Sequence, residues 1–392
     1  MSEASIQEMV DEVIGYVDDF CAEHISEERV KNWCVSRGVS SAEYAAFYES
    51  ELGRYCMPPA LGGFDGPFLV RAMLVARLMR HAGAMLPYHS DMNSMALLST
   101  LSEQSQREII EDFTASDGRV SFSQAFSEGG LGADSSSIIT EVTSDLDGVF
   151  LDGEKTFVAN GQFAARTLVL AQDMVHGIED GGQSLWLVPL SEAGVYTYPL
   201  NTVGQEMLAP ARLVFDHVKL DPTWRIQTEG RLGAMLERQY MLGRIYVCAA
   251  SLGLAQAAMD DALERCARYR TRGRYLSSIS QIQVKLANMA VEIRSMENLV
   301  TKAALSVSSD DSLSEQKYNC ALMKHYVPGA ATQLASEALQ IFGGMGYTDE
   351  SRVSRIWRDC RGNQIAQGAD EMMSRSIARH LVKEYAFTKK DL

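Results

Sequence analysis

The stretch QIFGGMGYTDESRVSRIWRDCRGNQIAQG, residues 340–368, lies between two segments of helical apolar period, near 315–342 and 366–387. Its glycines at 343, 344 and 346 interrupt a helix and let backbone amides approach another group closely, as the pyrophosphate of a cofactor requires. Neither this cluster nor the one at 129–132 has G-x-G-x-x-G spacing, so nicotinamide binding is not supported. Working toward the N-terminus, helical periods recur near 232–269 and 281–307, and Ser312 stands three residues before Glu315 as in a capping box. Pro328-Gly329 falls inside the third segment and should kink or split it. Together these segments predict a helical bundle over 229–392.

Upstream of Arg231 the period becomes that of strands. VSFSQAF (120–126), SIITEVT (137–143), GVFLDGEKTFV (148–158), TLVLAQD (167–173), SLWLVPL (184–190) and ARLVFDHVKL (211–220) are β-branched or aromatic runs separated by Gly, Asp and Pro. Asp147-Gly148 and Asp152-Gly153 read as turns. Six runs without long helices between them predict a compact, mainly antiparallel β domain over 120–228. Residues 1–119 read as helical: Ser5 with Glu8 and Ser105 with Glu108 have cap spacing, and 68–79 and 95–110 carry helical apolar periods. The segment MPPALGGFDGP (57–67) reads as a loop. The expected class is therefore α+β, mainly α, in the order helical, β, helical, with no internal repeat.

At 392 residues and 46% apolar content the chain can bury at least one large core. No stretch reads as the roughly 20 uncharged apolar residues of a membrane span, and the start, MSEASIQEMVDEV, is acidic where a leader would be basic. Cytoplasmic location is the expectation. Cysteines 21, 34, 56, 248, 266, 320 and 360 show no C-x-x-C or metal-ligand spacing and read as reduced structural thiols. A net charge of −15 argues against nucleic-acid binding, which needs a basic face. The run Arg265, Arg268, Arg270, Arg272, Arg274 is a local exception, read either as a solvated helix end or as a phosphate clamp.

Several stretches resemble the acyl-CoA dehydrogenase superfamily, in the family's order. Residues 126–134, FSEGGLGAD, are similar to T-E-P-G-A-G-S-D, and 153–161, GEKTFVANG, to G-x-K-x-W-I-T-N-G. Val214 to Val218 resembles the strand that ends the family's β domain, Ala249 to Ala255 a small-residue bundle helix, and Lys285 to Met289 its partner. The segment 340–347 with Arg358-Asp359 and Gln364 to Gly368 is the most specific match. The resemblance covers roughly 120–385 well, and it implies an N-terminal helical domain, a β domain and a C-terminal four-helix bundle.

It further implies FAD, an acyl-CoA or acyl-carrier-protein substrate, a homo- or hetero-oligomer, and an electron-transfer flavoprotein as a possible acceptor. By resemblance Phe126, Ser127, Gly132, Asp134, Phe157 and Ala159 would flank the flavin. Gln340 and Gly344, with Phe342 and Gly343 beside them, would reach the FAD of a neighbouring subunit, although Phe157 and Phe342 read equally well as core aromatics. Tyr269 falls where the family has its pyrophosphate arginine, with Arg268 and Arg270 either side, so Arg270 is a candidate phosphate contact.

The departures concern the chemistry. The family's catalytic Glu most often precedes the Gly of E-G-T; here the residue is Gln367, and an amide cannot act as a carboxylate base. Some members place that Glu on a bundle helix just before an Arg, and the corresponding pair here is Gly243-Arg244. Ala159, Ala133 and Ala369 replace hydroxyl residues. Asp370, Glu371 and Glu237 are expected to be surface or structural, while Arg244 could orient a carbonyl or flavin oxygen or form a salt bridge inside the bundle. Three functions stay open: an acyl-thioester dehydrogenase, or one subunit of a mixed complex with that activity; a flavoprotein of the same fold with other biosynthetic chemistry; and a non-catalytic structural or regulatory member.

Overall fold

The structure, a computed structural model, describes residues 3–57, 59, 62–64, 66–98, 122–130, 138–175, 178–226, 228 and 230–388. The expected Ser105 cap and the part of the 95–110 helix beyond residue 98 lie outside the described residues.

Among the described residues six helices come first: α1 (Glu3–His24), α2 (Glu27–Ser36), α3 (Ser41–Glu49), α4 (Glu51–Cys56), α5 (Phe68–Ala82) and α6 (Tyr88–Leu98). Ser5 sits inside α1 rather than capping it, whereas Ser26 and Ser40 cap α2 and α3 by accepting from Arg29 N and Glu43 N. Gly83, in a left-handed turn at φ +57°, ends α5, as a glycine C-cap does. Arg77 reaches Asp18 with two bonds of 2.6 and 2.7 Å and ties α5 to α1.

The β region is one seven-stranded sheet: β1 (Phe122–Ala125), β2 (Glu141–Ser144), β3 (Val149–Val158), β4 (Arg166–Val175), β5 (Ile178–Pro189), β6 (Val195–Pro199) and β7 (Ala211–Lys219). Four of its pairings are antiparallel, but β1 and β2 both run parallel to β4, so the sheet is mixed. Strand β6 escapes the sequence reading because it is short, ends at Pro199 and is mostly exposed, leaving no apolar run to mark it. Asp152-Gly153 is a bulge inside β3 rather than a turn: at Gly153, φ is +147° and a Cβ would lie 2.6 Å from Thr140 Oγ1. Leu168 and Leu170 of β4 face the helical core while Val169 and Ala171 face a second core across the sheet. Successive side chains point to opposite faces, so with a core on each side this strand is apolar at every one of these positions.

The C-terminal helices are α7 (Leu232–Arg268), α8 (Ser280–Ser306), α9 (Leu313–Phe342), α10 (Arg352–Ile365) and α11 (Asp370–Thr388), with a small hairpin, β8 (Arg270–Thr271) and β9 (Arg274–Tyr275), after α7. Helix α7 is long and apolar enough to cross a membrane by length and composition, contrary to the sequence expectation, yet 89% of its apolar window is buried in protein. It is the central core helix. A Cβ at Gly253 would meet the Ala76 carbonyl oxygen at 2.0 Å, so only glycine lets α7 lie this close to α5. Ser312 caps α9 as expected, accepting from Glu315 N at 3.2 Å, and α9 continues unbroken through Pro328. The helix expected over 366–387 begins only at Asp370, and α10 precedes it as a separate element. All seven cysteines are unpaired.

Candidate active site

Between α10 and α11 the chain turns through Gln367 at φ +58° and Gly368 at φ +103°. Glycine adopts such angles freely, but glutamine does so seldom, and a side chain held there is set by its surroundings. Three contacts hold the turn. Lys324 Nζ on α9 donates to Gln364 O at 3.3 Å, Gln364 Nε2 donates to Asp370 Oδ2 at 3.2 Å, and Arg244 Nε on α7 donates to Gln367 O at 3.1 Å. Asp370 is thus a structural anchor at the start of the next helix. Glu237 pairs with Lys317 and is structural too.

The turn directs the Gln367 amide onto α7. A Cβ at Gly243 would lie 2.7 Å from Gln367 Oε1 and 2.8 Å from Asn93 Nδ2 of α6. The two positions where the resemblance allows a catalytic carboxylate therefore converge on one point, and neither carries one. Asn93 Nδ2 donates to Gln124 Oε1 of β1 at 3.4 Å, and Gln239 Nε2 of α7 donates to Asn93 O. Asn93, Gln124 and Gln239 went unnoticed in the sequence, because single amides on separate elements leave no pattern.

Arg244 is the cation of this cluster. Its guanidinium stands 6.0 Å from the Tyr240 ring, and Tyr240 meets Phe126 edge-on at 6.1 Å, which links the bundle to the end of β1. Burial holds the Arg244 pKa below its usual value, although a guanidinium stays charged. The bundle salt bridge considered for Arg244 is absent among the described residues. Lys324, fully buried nearby, is also lowered, mainly by burial.

On the sheet side, Ser127 follows Phe126 at the surface and its carbonyl accepts from Thr156 N at 2.9 Å. The next residue, Phe157, sits on a β3 bulge with φ +53° and exposes 70% of its surface, so it is no core aromatic. Ala159 is half-buried against the helical core. This loop is fixed by a buried pair: Lys155 Nζ meets Glu128 Oε1 at 2.7 Å, and Glu128 also accepts from Ile139 N and Thr140 N. Burial alone would raise the Glu128 carboxyl, but hydrogen bonds led by Lys155 and Thr140 outweigh it and hold the carboxyl below its usual value. Gly132 and Asp134 lie outside the described residues. Deeper in, Asp91 accepts from Tyr48, Phe122 N and Asn160, and burial raises its carboxyl to about 7 despite those bonds.

The other end of the 340–368 stretch faces a separate cleft of 480 Å³, lined by Phe342, Arg265, Arg268, Tyr269 and Arg352 among others. Gln340, Gly343 and Gly344 are exposed beside it at the end of α9. Arg265 stacks over Tyr269 at 3.8 Å and stands 5.4 Å from the Phe342 ring, while its buried Nε has no hydrogen-bond partner among the described residues. Arg270 is elsewhere, exposed on the hairpin and stacked on Tyr275 at 4.1 Å. Of the arginine run, Arg265 and Arg268 reach the cleft.

The sequence matches the family description "Acyl-CoA dehydrogenase, middle domain" over residues 123–218 and "Acyl-CoA dehydrogenase, C-terminal domain" over 233–382. It is 28% identical over 382 residues to the probable acyl-CoA dehydrogenase YdiO of Escherichia coli K12, covering 97% of this chain and 98% of that one. An acyl-CoA dehydrogenase from Slackia heliotrinireducens has a crystal structure similar to this one, with TM-score 0.84, 32% identity and 98% coverage of both chains. Butyryl-CoA dehydrogenase from Megasphaera elsdenii shares the fold, with TM-score 0.85 and 24% identity over 97% of this chain and 99% of its own. The chain belongs to the acyl-CoA dehydrogenase family.

Proposed function

We propose that this protein is an FAD-dependent oxidoreductase of acyl thioesters whose own chain lacks the carboxylate that takes the substrate α proton, so that the base comes from a partner subunit in a mixed complex. The carrying observation is the convergence of Gln367 and Gly243 on one point with an amide in place of a carboxylate. The residues present fit a flavin. Phe157 offers an exposed ring on strained backbone, the kind of cost a chain retains where a planar ligand is held. Arg265, with a buried and unpartnered Nε above an open cleft, fits a phosphate.

When bound, FAD supplies the redox step as hydride acceptor. The chain's part is to position and to exclude water. Phe126, Tyr240 and Phe157 would bound the ring side, Arg244 would orient the thioester end, and the Gln367 amide can donate a hydrogen bond but cannot hold a proton taken from carbon.

The test begins with the visible spectrum of the purified protein and dye reduction by acyl-CoA substrates. Bound oxidised flavin with little turnover is expected. Gln367→Glu, nearly the same size, should raise acyl-CoA-dependent dye reduction by about 10²- to 10⁴-fold, the usual contribution of a positioned base. A colourless protein would sink the cofactor assignment. Normal flavin binding with no gain in Gln367→Glu would sink the missing-base reading.

A further inference from the structure

We infer that Asp91 is a positioning residue for the flavin: its carboxylate fastens the start of β1 to the turn after β3, and so sets the gap between the two segments that bound the ring. The inference rests on the cofactor reading above. Asp91 is wholly buried, so it acts through those segments and not by contact with a ligand.

Strand β1 and the second half of β3 lie side by side, yet no ladder joins them among the described residues. β1 pairs with β4, while β3 stays paired with β2 only as far as Asp152 and continues to Val158 against β7 alone. Two ties close one end of this seam, Thr156 N to Ser127 O at 2.9 Å and Lys155 to Glu128. Asp91 closes the other. Its Oδ1 accepts from Phe122 N at 2.8 Å and from Asn160 Nδ2 at 3.1 Å, so a single oxygen holds both strands. Its Oδ2 accepts from Tyr48 of α3 at 2.9 Å.

Both contacts lie directly behind the ring side. Phe122 opens the strand that leads into Phe126 and Ser127, and Asn160 follows Phe157 to Ala159 without a gap. Phe157 and Asn160 both hold positive φ, at +53° and +60°, so this end of β3 keeps its shape only where its surroundings impose it. Asn160 is fixed at its backbone by a bond from N to Leu208 O at 2.6 Å, and at its side chain by Asp91 and by Tyr44 Oη at 3.3 Å. An aliphatic residue at position 91 would leave the Phe122 N–H buried without that acceptor and release Asn160 from β1.

The experiment measures FAD release from the purified holoprotein on dilution, read by the fluorescence of free flavin, beside urea unfolding of the same samples by circular dichroism. Asp91→Ala should weaken FAD binding about tenfold or more, the scale of hydrogen bonds to a charged group. Asp91→Asn should restore affinity to within about threefold of the parent, because its amide oxygen still accepts from both strands while the Tyr48 hydroxyl accepts from its amide N–H. Two further variants each remove one bond of the same carboxylate. Asn160→Gly, which adopts the left-handed backbone freely, should weaken FAD binding about fivefold or more, and should add less than about twofold on top of Asp91→Ala. Tyr48→Phe frees a helix and neither strand, so it should lower stability while leaving FAD affinity within about twofold. These two variants decide the matter if Asp91→Ala does not fold. FAD affinity unchanged in Asn160→Gly, or falling equally in Asn160→Gly and Tyr48→Phe in step with stability, would overturn the inference alone. A parent protein that carries no flavin would overturn the cofactor reading and the inference with it.

Discussion

Lys155 and Lys324 are both fully buried lysines, one on the sheet side of the site and one in the bundle, and they are partnered very differently. Lys155 lies 2.7 Å from Glu128, which also accepts from the backbone N–H groups of Ile139 and Thr140. Lys324 has one long bond to a carbonyl, and its nearest carboxylate is at 3.9 Å. Burial of an ion is tolerated when a counter-charge and hydrogen bonds complete it. The first lysine is complete and belongs to the scaffold, tying the Ser127 loop to β3. The second is incomplete and sits behind the turn that sets Gln367, where positive charge is left over for the site.

The comparison can be broken most strongly at Lys155. Lys155→Met leaves the buried Glu128 carboxylate without its counter-charge and should cost about 3–5 kcal/mol in denaturant unfolding. A loss under 1 kcal/mol would mean that the pair is not the tie described here. Lys324→Met should change stability by no more than about 1 kcal/mol at neutral pH, because the lost bond is offset by removing an incompletely solvated charge.

The pH profile sharpens the contrast further. Burial lowers the Lys324 amine below its ordinary 10.5 in the folded protein, so between the folded value and 10.5 the unfolded chain binds more protons. Stability from this residue therefore rises as pH climbs through that window. Unfolding of Lys324→Met measured from neutral to alkaline pH should show a flatter rise than the parent. Parallel profiles would place the Lys324 amine outside the buried environment described.

Much of the architecture was legible along the chain, for reasons visible in particular elements. The short β-branched and aromatic runs between Gly, Asp and Pro mark the β region, and they are continuous where both faces of a strand are buried, as Leu168 to Ala171 show. The Ser312 cap was readable because it is a local interaction between residues three apart. Helix α10 was not: its buried face mixes Val353, Ile356 and Cys360 with Ser354, Arg355, Asp359 and Asn363, so its apolar stripe is short and broken by polar residues. The parallel pairings of β1 and β2 with β4 depend on which edges meet across the sheet, which composition does not encode. At the site, Gln367 and Arg244 were singled out from their motif positions, whereas Asn93, Gln124 and Lys324 had no signal except burial.

The sequence by itself determined that the 340–368 stretch carries a glycine-rich helix stop at one end and an amide, not a carboxylate, at Gln367, since both are facts of covalent chemistry. Only the tertiary structure decided that Gly243 and Gln367 are one place rather than two alternatives. Their meeting requires a left-handed turn at Gln367, pinned by Arg244 and by the Lys324 and Asp370 contacts around Gln364, and no local propensity specifies such a turn.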